Sequence, residues 1–388
     1  LATLTRIDLF HVPMELVHGF QTSSHRKNEL NHILVRVWDE AGRTGWGECA
    51  VPTDPYYCPE TTETAWHILR DYLCPAVIGQ DLNGAEDLLR RVAKVRGNNF
   101  ARAGLETAFW ALEAERQQKP LAELLSATRQ EIISGVSLGI ESSIPALVEQ
   151  VGRFVEEGYR RVKLKIGPGW DVQPVAAVRE RWPELPLQVD ANSAYTLAPE
   201  HITALRELDR FDLLMIEQPL AHDDIIDHAR LQTELKTPLC LDESIHSAED
   251  ARKALELSAC RIINIKTSRS GGLLEAKKVH DLCYEKGIPV WCGGMHEYGV
   301  GRAANVALAA LPGFTLPGDV SGSDKYYAHD ITTEPILAYN GAIRVTWERP
   351  GLGYEVDEDY LKQRTVRAIS LSSKNKSGWQ ERNAAWEK

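Results

Sequence analysis

The stretch RVKLKIGPGWD, Arg161 to Asp171, places two lysines, Lys163 and Lys165, in alternation with Val162, Leu164 and Ile166. Successive side chains of a strand point to opposite faces, so the lysines share one side and the aliphatic residues the other. An apolar face is expected of a buried strand; two cations on its inner face are not. Working outward, seven further short runs have the same texture: ISGVSLGI (133–140), LPLQVD (185–190), DLLMIE (212–217), PLCLD (238–242), RIINIK (261–266), IPVWCGG (288–294) and GFTLPGD (313–319). Helical patterns separate most of them, such as Val172, Val175, Val178 and Trp182, or the segment opening at Ser247 with Asp250 three residues later. Strands alternating with single helices predict a parallel sheet, and eight of them predict a closed α/β barrel rather than an open sheet.

The first 130 residues differ. Residues 4–12 and 32–39 read as strands, AGRTGWGE (41–48) as a glycine-rich turn, and 60–74, 84–95 and 104–117 as helices. Together they predict a small α+β module over 1–130, with the polar segment 18–30 as a mobile loop. The barrel is expected over 131–325 and a return to the first module over 326–365. The polar residues 366–388 are expected to form a loosely ordered tail.

The ends of consecutive barrel strands carry the chemistry. They are Lys165, Asp190, Glu217, Asp242 and Lys266, spaced 25, 27, 25 and 24 residues apart, one strand–helix unit each. Strand C-termini of such a barrel converge on one mouth, where catalysis sits. One ionisable strand end is ordinarily a loop anchor; five in register are not. Three carboxylates without His or Cys suit a hard divalent cation, Mg²⁺ above all, with Mn²⁺ or another divalent ion as substitutes. The flanking lysines, with pKa values lowered by neighbouring positive charge, would exchange a proton next to a substrate carboxylate.

At these residues the chain resembles the enolase superfamily, in its muconate-lactonising subgroup. The matching motifs are K-x-K at Lys163 and Lys165, D-A-N at Asp190 to Asn192, I-E-Q-P at Ile216 to Pro219, D-E-S at Asp242 to Ser244, and the lysine of NIK, Lys266. The stretches PVWCGGM, GRAANVALAALP, FTLPGD and GWGEC make it most similar to the o-succinylbenzoate synthase and N-acylamino acid (N-succinylamino acid) racemase branch. The resemblance extends to about residue 365. It implies a (β/α)7β TIM-like barrel with an α+β capping domain completed by the C-terminal segment. It also implies Asp190, Glu217 and Asp242 as Mg²⁺ ligands and Lys165 and Lys266 as the acid/base pair, with Glu243 beside the ligands. Lys163 would hold the substrate carboxylate and tune Lys165, and Arg269 would influence Lys266. Asn192, Ser137, Met295, His296 and Tyr298 complete the substrate-binding candidates. The implied reaction removes a proton α to a carboxylate through an enediolate, as a racemase or a dehydrating synthase. A muconate cycloisomerase, a dipeptide epimerase, or a binding protein on an inactive scaffold are the alternatives. By the same analogy the protein would be a homo-oligomer.

Two departures bear on specificity. TSRSGG follows Lys266 where the branch has a proline, and HEYG (His296 to Gly299) replaces an aliphatic residue, Glu, Thr and Gly. They bring His296 and Tyr298 to the loop expected to meet the distal part of the substrate.

Other features narrow the classes. A net charge of −11 gives no electrostatic reason to bind nucleic acid or an anionic membrane. No apolar run approaches the roughly 18 residues of a membrane span, and LATLTRIDLF lacks signal-peptide blocks. Seven cysteines without CxxC spacing read as free thiols of a reducing cytoplasm. The histidines lack zinc spacing. GVGRAAN opens no nucleotide-binding unit, and Ser137 and Ser193 sit in no nucleophile elbow. Tyr326 and Tyr327 are expected either to wall the pocket or to pack in the core.

Overall fold

The computed structural model describes residues 1–373. Seven parallel strands form one curled sheet: Val136–Leu138, Val162–Lys165, Leu187–Asp190, Ile216–Glu217, Leu239–Leu241, Ile262–Ile265 and Val290–Cys292. The eighth run, 313–319, is not a strand. Pro317 has no N–H to give to a ladder, and the segment instead makes isolated bridges, Phe314 to Val290 and Gly318 to Ser134. Asp319 N donates to Cys292 O (2.8 Å) and Gly135 N to Gly318 O (2.7 Å). Those bonds join the first strand to the seventh and close the barrel.

Val162, Leu164 and Ile166 pack outward with Val151, Phe154, Val175 and Val178 of the surrounding helices. Lys163 and Lys165 point into the barrel. A lower layer of Met215, Cys240, Ile262 and Trp291 fills the interior. Helix starts follow local capping: the Ser247 hydroxyl accepts from Asp250 N (3.1 Å) at the head of Ala248–Glu256.

The N-terminal residues form an antiparallel sheet in the order Arg367–Ser372, Ala2–Gln21, Arg26–Asp39, Thr44–Cys49. Two expectations change here. The segment 18–30 is not a loop: the first strand runs to Gln21 and the second starts at Arg26, so only residues 22–25 turn. The segment 367–372 is not a loose tail but pairs with the first strand, Arg6 opposite Ser372 through His11 opposite Arg367. The rest of that predicted tail, from 374 on, lies outside the described residues. All seven cysteines are free thiols, six of them buried, and no helix among the described residues is long and apolar enough to cross a membrane.

Glycines of GWGEC let the sheet approach the helix Asn99–Gln117. A Cβ on Gly47 would lie 2.1 Å from Gly104 O, and one on Gly45 2.2 Å from Ala108 O. Both obstacles are helix backbone, which cannot rotate aside. Gly47→Ala is therefore expected to destabilise the protein by about 3 kcal/mol, the upper range for overpacking, read as a lower urea midpoint; an unchanged midpoint would show that the helix can back away.

Two carboxylates tie this sheet-and-helix layer to the barrel. Glu48 accepts from Tyr298 N (2.8 Å) and Gly301 N (2.7 Å) at the start of helix Gly299–Ala309. Glu106 accepts from Leu273 N (2.8 Å) and Leu274 N (2.9 Å) at the start of helix Leu273–Glu285. Each satisfies backbone N–H groups that a helix leaves unpaired, at the positive end of its dipole.

Candidate active site

The strand-end residues converge. Lys165 closes the second barrel strand, Asp190 the third and Glu217 the fourth, while Asp242 and Lys266 lie one residue beyond the fifth and sixth. Lys165 Nζ donates to Asp190 Oδ2 (2.6 Å) and Asn192 Oδ1 (2.7 Å). Lys266 Nζ donates to Asp242 Oδ2 (2.7 Å), and the Arg269 guanidinium grips the other oxygen of the same carboxylate. Lys163 lies among three carboxylates: Asp319 (2.6 Å), Glu217 (3.1 Å) and Asp190 (3.3 Å).

This alternation of charge sets the protonation states. Burial, the largest single influence, would lower Lys163 and Lys266, but Asp319, Glu217 and Asp190 together for the first, and Asp242 with Tyr57 and Glu243 for the second, raise both above the ordinary lysine range. Burial would raise Asp242, yet Lys266 and Arg269 hold it below the usual carboxylate range. Glu217 goes the other way: burial and the neighbouring Asp190 push it up to about 8, against the pull of Lys163. Glu243 rises to about 7 through burial and the charges of Asp242 and Asp190.

Among the described residues no three Asp, Glu, His or Cys side chains are arranged as a ready-made metal cage. The chemistry of the donor set nonetheless fits a hard divalent cation. Asp190, Glu217 and Asp242 present only carboxylate oxygens, and all three are buried.

A cavity of about 240 Å³ opens in front of this layer. Lys165, Asn192, Glu243 and Lys266 line it from the barrel, and Phe20, Lys27 and Tyr57 from the N-terminal layer. The Tyr57 hydroxyl donates to Asp242 Oδ1 (2.9 Å) and accepts from Lys266 Nζ (3.1 Å). Three residues that line the cavity hold left-handed backbone: Asn192, Ser193 and His296 have φ between +44° and +65°. Such conformations cost non-glycine residues energy and collect at functional sites.

The predicted substrate-binding residues divide. Asn192, Met295 and His296 line the cavity. Met295 Sδ lies 3.7 Å from Lys266 Nζ. His296 is packed edge-on against Phe20 and stacked on Tyr326, and burial keeps its imidazole neutral. Tyr298 does not reach the cavity. It is fully buried against the N-terminal sheet, its hydroxyl donating to Val12 O (2.7 Å) or Leu30 O (2.9 Å). Arg269 sits behind Asp242, with its other nitrogens on Ile245 O and Asn264 O, and supports that carboxylate rather than a substrate. Lys163 is one layer deeper than expected, its ammonium against Asp319 and over the Trp291 ring (4.8 Å). Ser137 is buried away from the cavity, and its carbonyl accepts from Lys325 Nζ (2.6 Å). Tyr326 and Tyr327 back the wall: Tyr326 stacks on His296, and the Tyr327 hydroxyl donates to the His296 carbonyl.

Several residues of the site have no role in the sequence reading. Asp319 ends the 313–319 run, so the rule that found the other strand ends also reaches it. Asn264 donates to Glu217 Oε1 (2.8 Å) and shows in sequence only as the polar residue of an apolar strand. Tyr57 and Lys27 carry no local signal, since their partners are remote in the chain.

Residues 146–360 match the family described as enolase C-terminal domain-like, and residues 5–126 the mandelate racemase / muconate lactonizing enzyme N-terminal domain. The chain belongs to the enolase superfamily. An o-succinylbenzoate synthase of Geobacillus kaustophilus is 50% identical over 92% of this chain and 94% of its own length. An N-succinylamino acid racemase of Amycolatopsis sp is 46% identical over 95% of this chain and 100% of its own. A crystal structure of an enolase superfamily member from Listeria innocua superposes with a TM-score of 0.92 at 38% identity, covering 96% of this chain and 100% of that one. The superfamily protein described here is accordingly an enzyme with the barrel and capping domain of its relatives.

Proposed function

We propose that this enzyme abstracts the proton α to a substrate carboxylate and then either returns a proton to that carbon, as an N-acylamino acid racemase, or expels water from the adjacent carbon, as an o-succinylbenzoate synthase, or does both in one site. The observation that carries the reading is the placement of two lysines on one cavity. Lys165 belongs to the second member of an eight-membered ring and Lys266 follows the sixth. Four positions apart around a barrel is diametrically across it, so the two ammonium groups approach a bound carbon acid from opposite sides.

Asp190, Glu217 and Asp242 are the residues that would hold a divalent cation, Mg²⁺ by its preference for hard oxygen donors. When bound, it supplies the positive charge that an enediolate needs as it develops. The lysines then have work of their own. Lys165 and Lys266 now spend a hydrogen bond each on Asp190 and Asp242. A cation held by Asp190 and Asp242 would compete with the lysines for those oxygens; of the two lysines, the one that is a neutral amine removes a proton at Nζ and the one that is an ammonium delivers a proton. Tyr57, on Lys266 Nζ, orients that amine, and the N-terminal layer excludes water from above. Racemisation uses both lysines as acid and base. Loss of water from the adjacent carbon uses Lys165 as base, which passes the proton it has taken to the hydroxyl departing on the same face, and Lys266 as a fixed cation. Relatives named for both reactions favour keeping the two together.

Proton NMR in D₂O with Mg²⁺ and a panel of N-succinyl and N-acetyl amino acids tests this. Loss of the α-proton signal from both enantiomers is expected; Mg²⁺ binding without exchange on any of them, and without dehydrating activity, would refute it. Asp190→Asn is expected to weaken Mg²⁺ binding more than about a hundredfold, since even outer residues of metal sites are worth 10–100-fold, and to abolish turnover. Near wild-type affinity by calorimetry would remove Asp190 from the ligand set.

A further inference from the structure

The cavity contains one cation that the proton-transfer chemistry leaves unused. Lys27 lies in the second strand of the N-terminal hairpin, directly opposite Phe20 in the first. Opposed residues of an antiparallel pair point to the same face. Phe20 is buried on the cavity and packs on His296, so Lys27 projects inward as well, while Arg26 and Asn28 on either side are exposed. The hairpin is held over the barrel mouth by two hydrogen bonds: Ile140 N donates to Gln21 O (2.8 Å) and the Ser23 hydroxyl to Ala191 O (3.2 Å). Lys27 is thus placed by a fixed strand, not by a free loop.

The other two cavity lysines each have a carboxylate within 3 Å. The Lys27 ammonium has no hydrogen bond and no ion pair among the described residues, although the residue is half-buried. Glu243 is the only acidic side chain lining the cavity, and its one bonded oxygen accepts from Asn192. Burial, reinforced by Lys165 and Lys266, pulls Lys27 down to about 8, the direction expected of an ammonium awaiting a negative partner. Desolvating a cation without a partner is costly, and the hairpin aims it where a ligand enters.

We infer that Lys27 receives a second, distal carboxylate of the substrate, so that the site selects dicarboxylates such as N-succinyl over neutral N-acyl compounds. The assignment rests on the proton-transfer reading for which end of the substrate lies at Lys165 and Lys266. With the α-carboxylate end there, the acyl tail runs outward past Phe20 and His296 to the hairpin. Lys27 then pairs the far carboxylate with a charge-assisted hydrogen bond, and the tail fills the space beside His25 and Tyr56.

The test compares N-succinyl-L-phenylalanine with N-butanoyl-L-phenylalanine, in which a methyl replaces the distal carboxylate. Binding to the full chain with Mg²⁺ is measured by calorimetry, and α-proton exchange is followed in parallel. The wild-type enzyme is expected to bind the succinyl compound about tenfold to a hundredfold more tightly, the range for a hydrogen bond to a charged group. Lys27→Met should erase that preference while leaving the butanoyl compound unaffected, and Lys27→Arg should retain it. A preference that survives in Lys27→Met, equal weakening of both ligands, or no preference in the wild type would each overturn the assignment. Selective binding without exchange would leave Lys27 in place and refute the proton-transfer reading instead.

Discussion

Lys266→Ala is expected to stop α-proton exchange from one enantiomer of a racemisable substrate by a factor of about 10²–10⁴, the contribution of a positioned acid or base, while Lys165 continues to exchange the other. The variant should fold. Asp242 keeps its contacts to Arg269 and to the Tyr57 hydroxyl when the ammonium is removed, so no buried carboxylate is stranded. Lys165→Ala should show the mirror-image selectivity. The readout is the α-proton signal of each enantiomer in D₂O, with circular dichroism as a check on folding. Equal loss from both enantiomers, or loss from neither, would remove the two-base assignment.

Asp319→Asn is expected to cost stability more than any single change at the cavity itself. Its carboxylate faces Lys163 Nζ (2.6 Å) and Arg161 Nη1 (2.8 Å), and both cations are almost fully buried. Removing one partner of a buried pair leaves uncompensated charge, worth about 3–5 kcal/mol. Arg161 retains the carbonyls of Val136 and Pro317, and Lys163 retains Glu217 and Asp190. Lys163 would then draw harder on two of the carboxylates that carry the metal proposal, so Mg²⁺ affinity should fall along with the urea midpoint. An unfolding free energy within about 0.5 kcal/mol of wild type, the scale of an ordinary surface substitution, would show that the polar barrel interior does not depend on Asp319.

The barrel was legible because its signal is periodic and local. Lys163 and Lys165 alternate with aliphatic residues, which sets the strand and its inner face, and the recurrence of ionisable strand ends every 24–27 residues marks one mouth. Seven of the eight runs form strands for that reason, and the eighth differs because Pro317 interrupts pairing that its apolar pattern would allow. The hairpin tip at 18–30 was not legible. Its residues are polar, and what makes them a strand is main-chain pairing with each other and contact with the barrel mouth, neither of which leaves a pattern in side-chain type. Arg367–Ser372 is strand for the same reason.

At the site the division is similar. Which ionisable groups reach the barrel mouth follows from the sequence alone, because strand length and alternation dictate it. Which group faces which does not. Tyr57 meets Lys266 across 209 residues, Asp319 meets Lys163 across 156, and Tyr298 leaves the pocket to bond Val12 and Leu30. Such pairings depend on how the N-terminal layer docks and how the barrel closes. Those are global packing outcomes, and they alone decide whether a lysine is neutralised, as the buried Lys163 is, or left, as the half-buried Lys27 is, without a partner among the described residues.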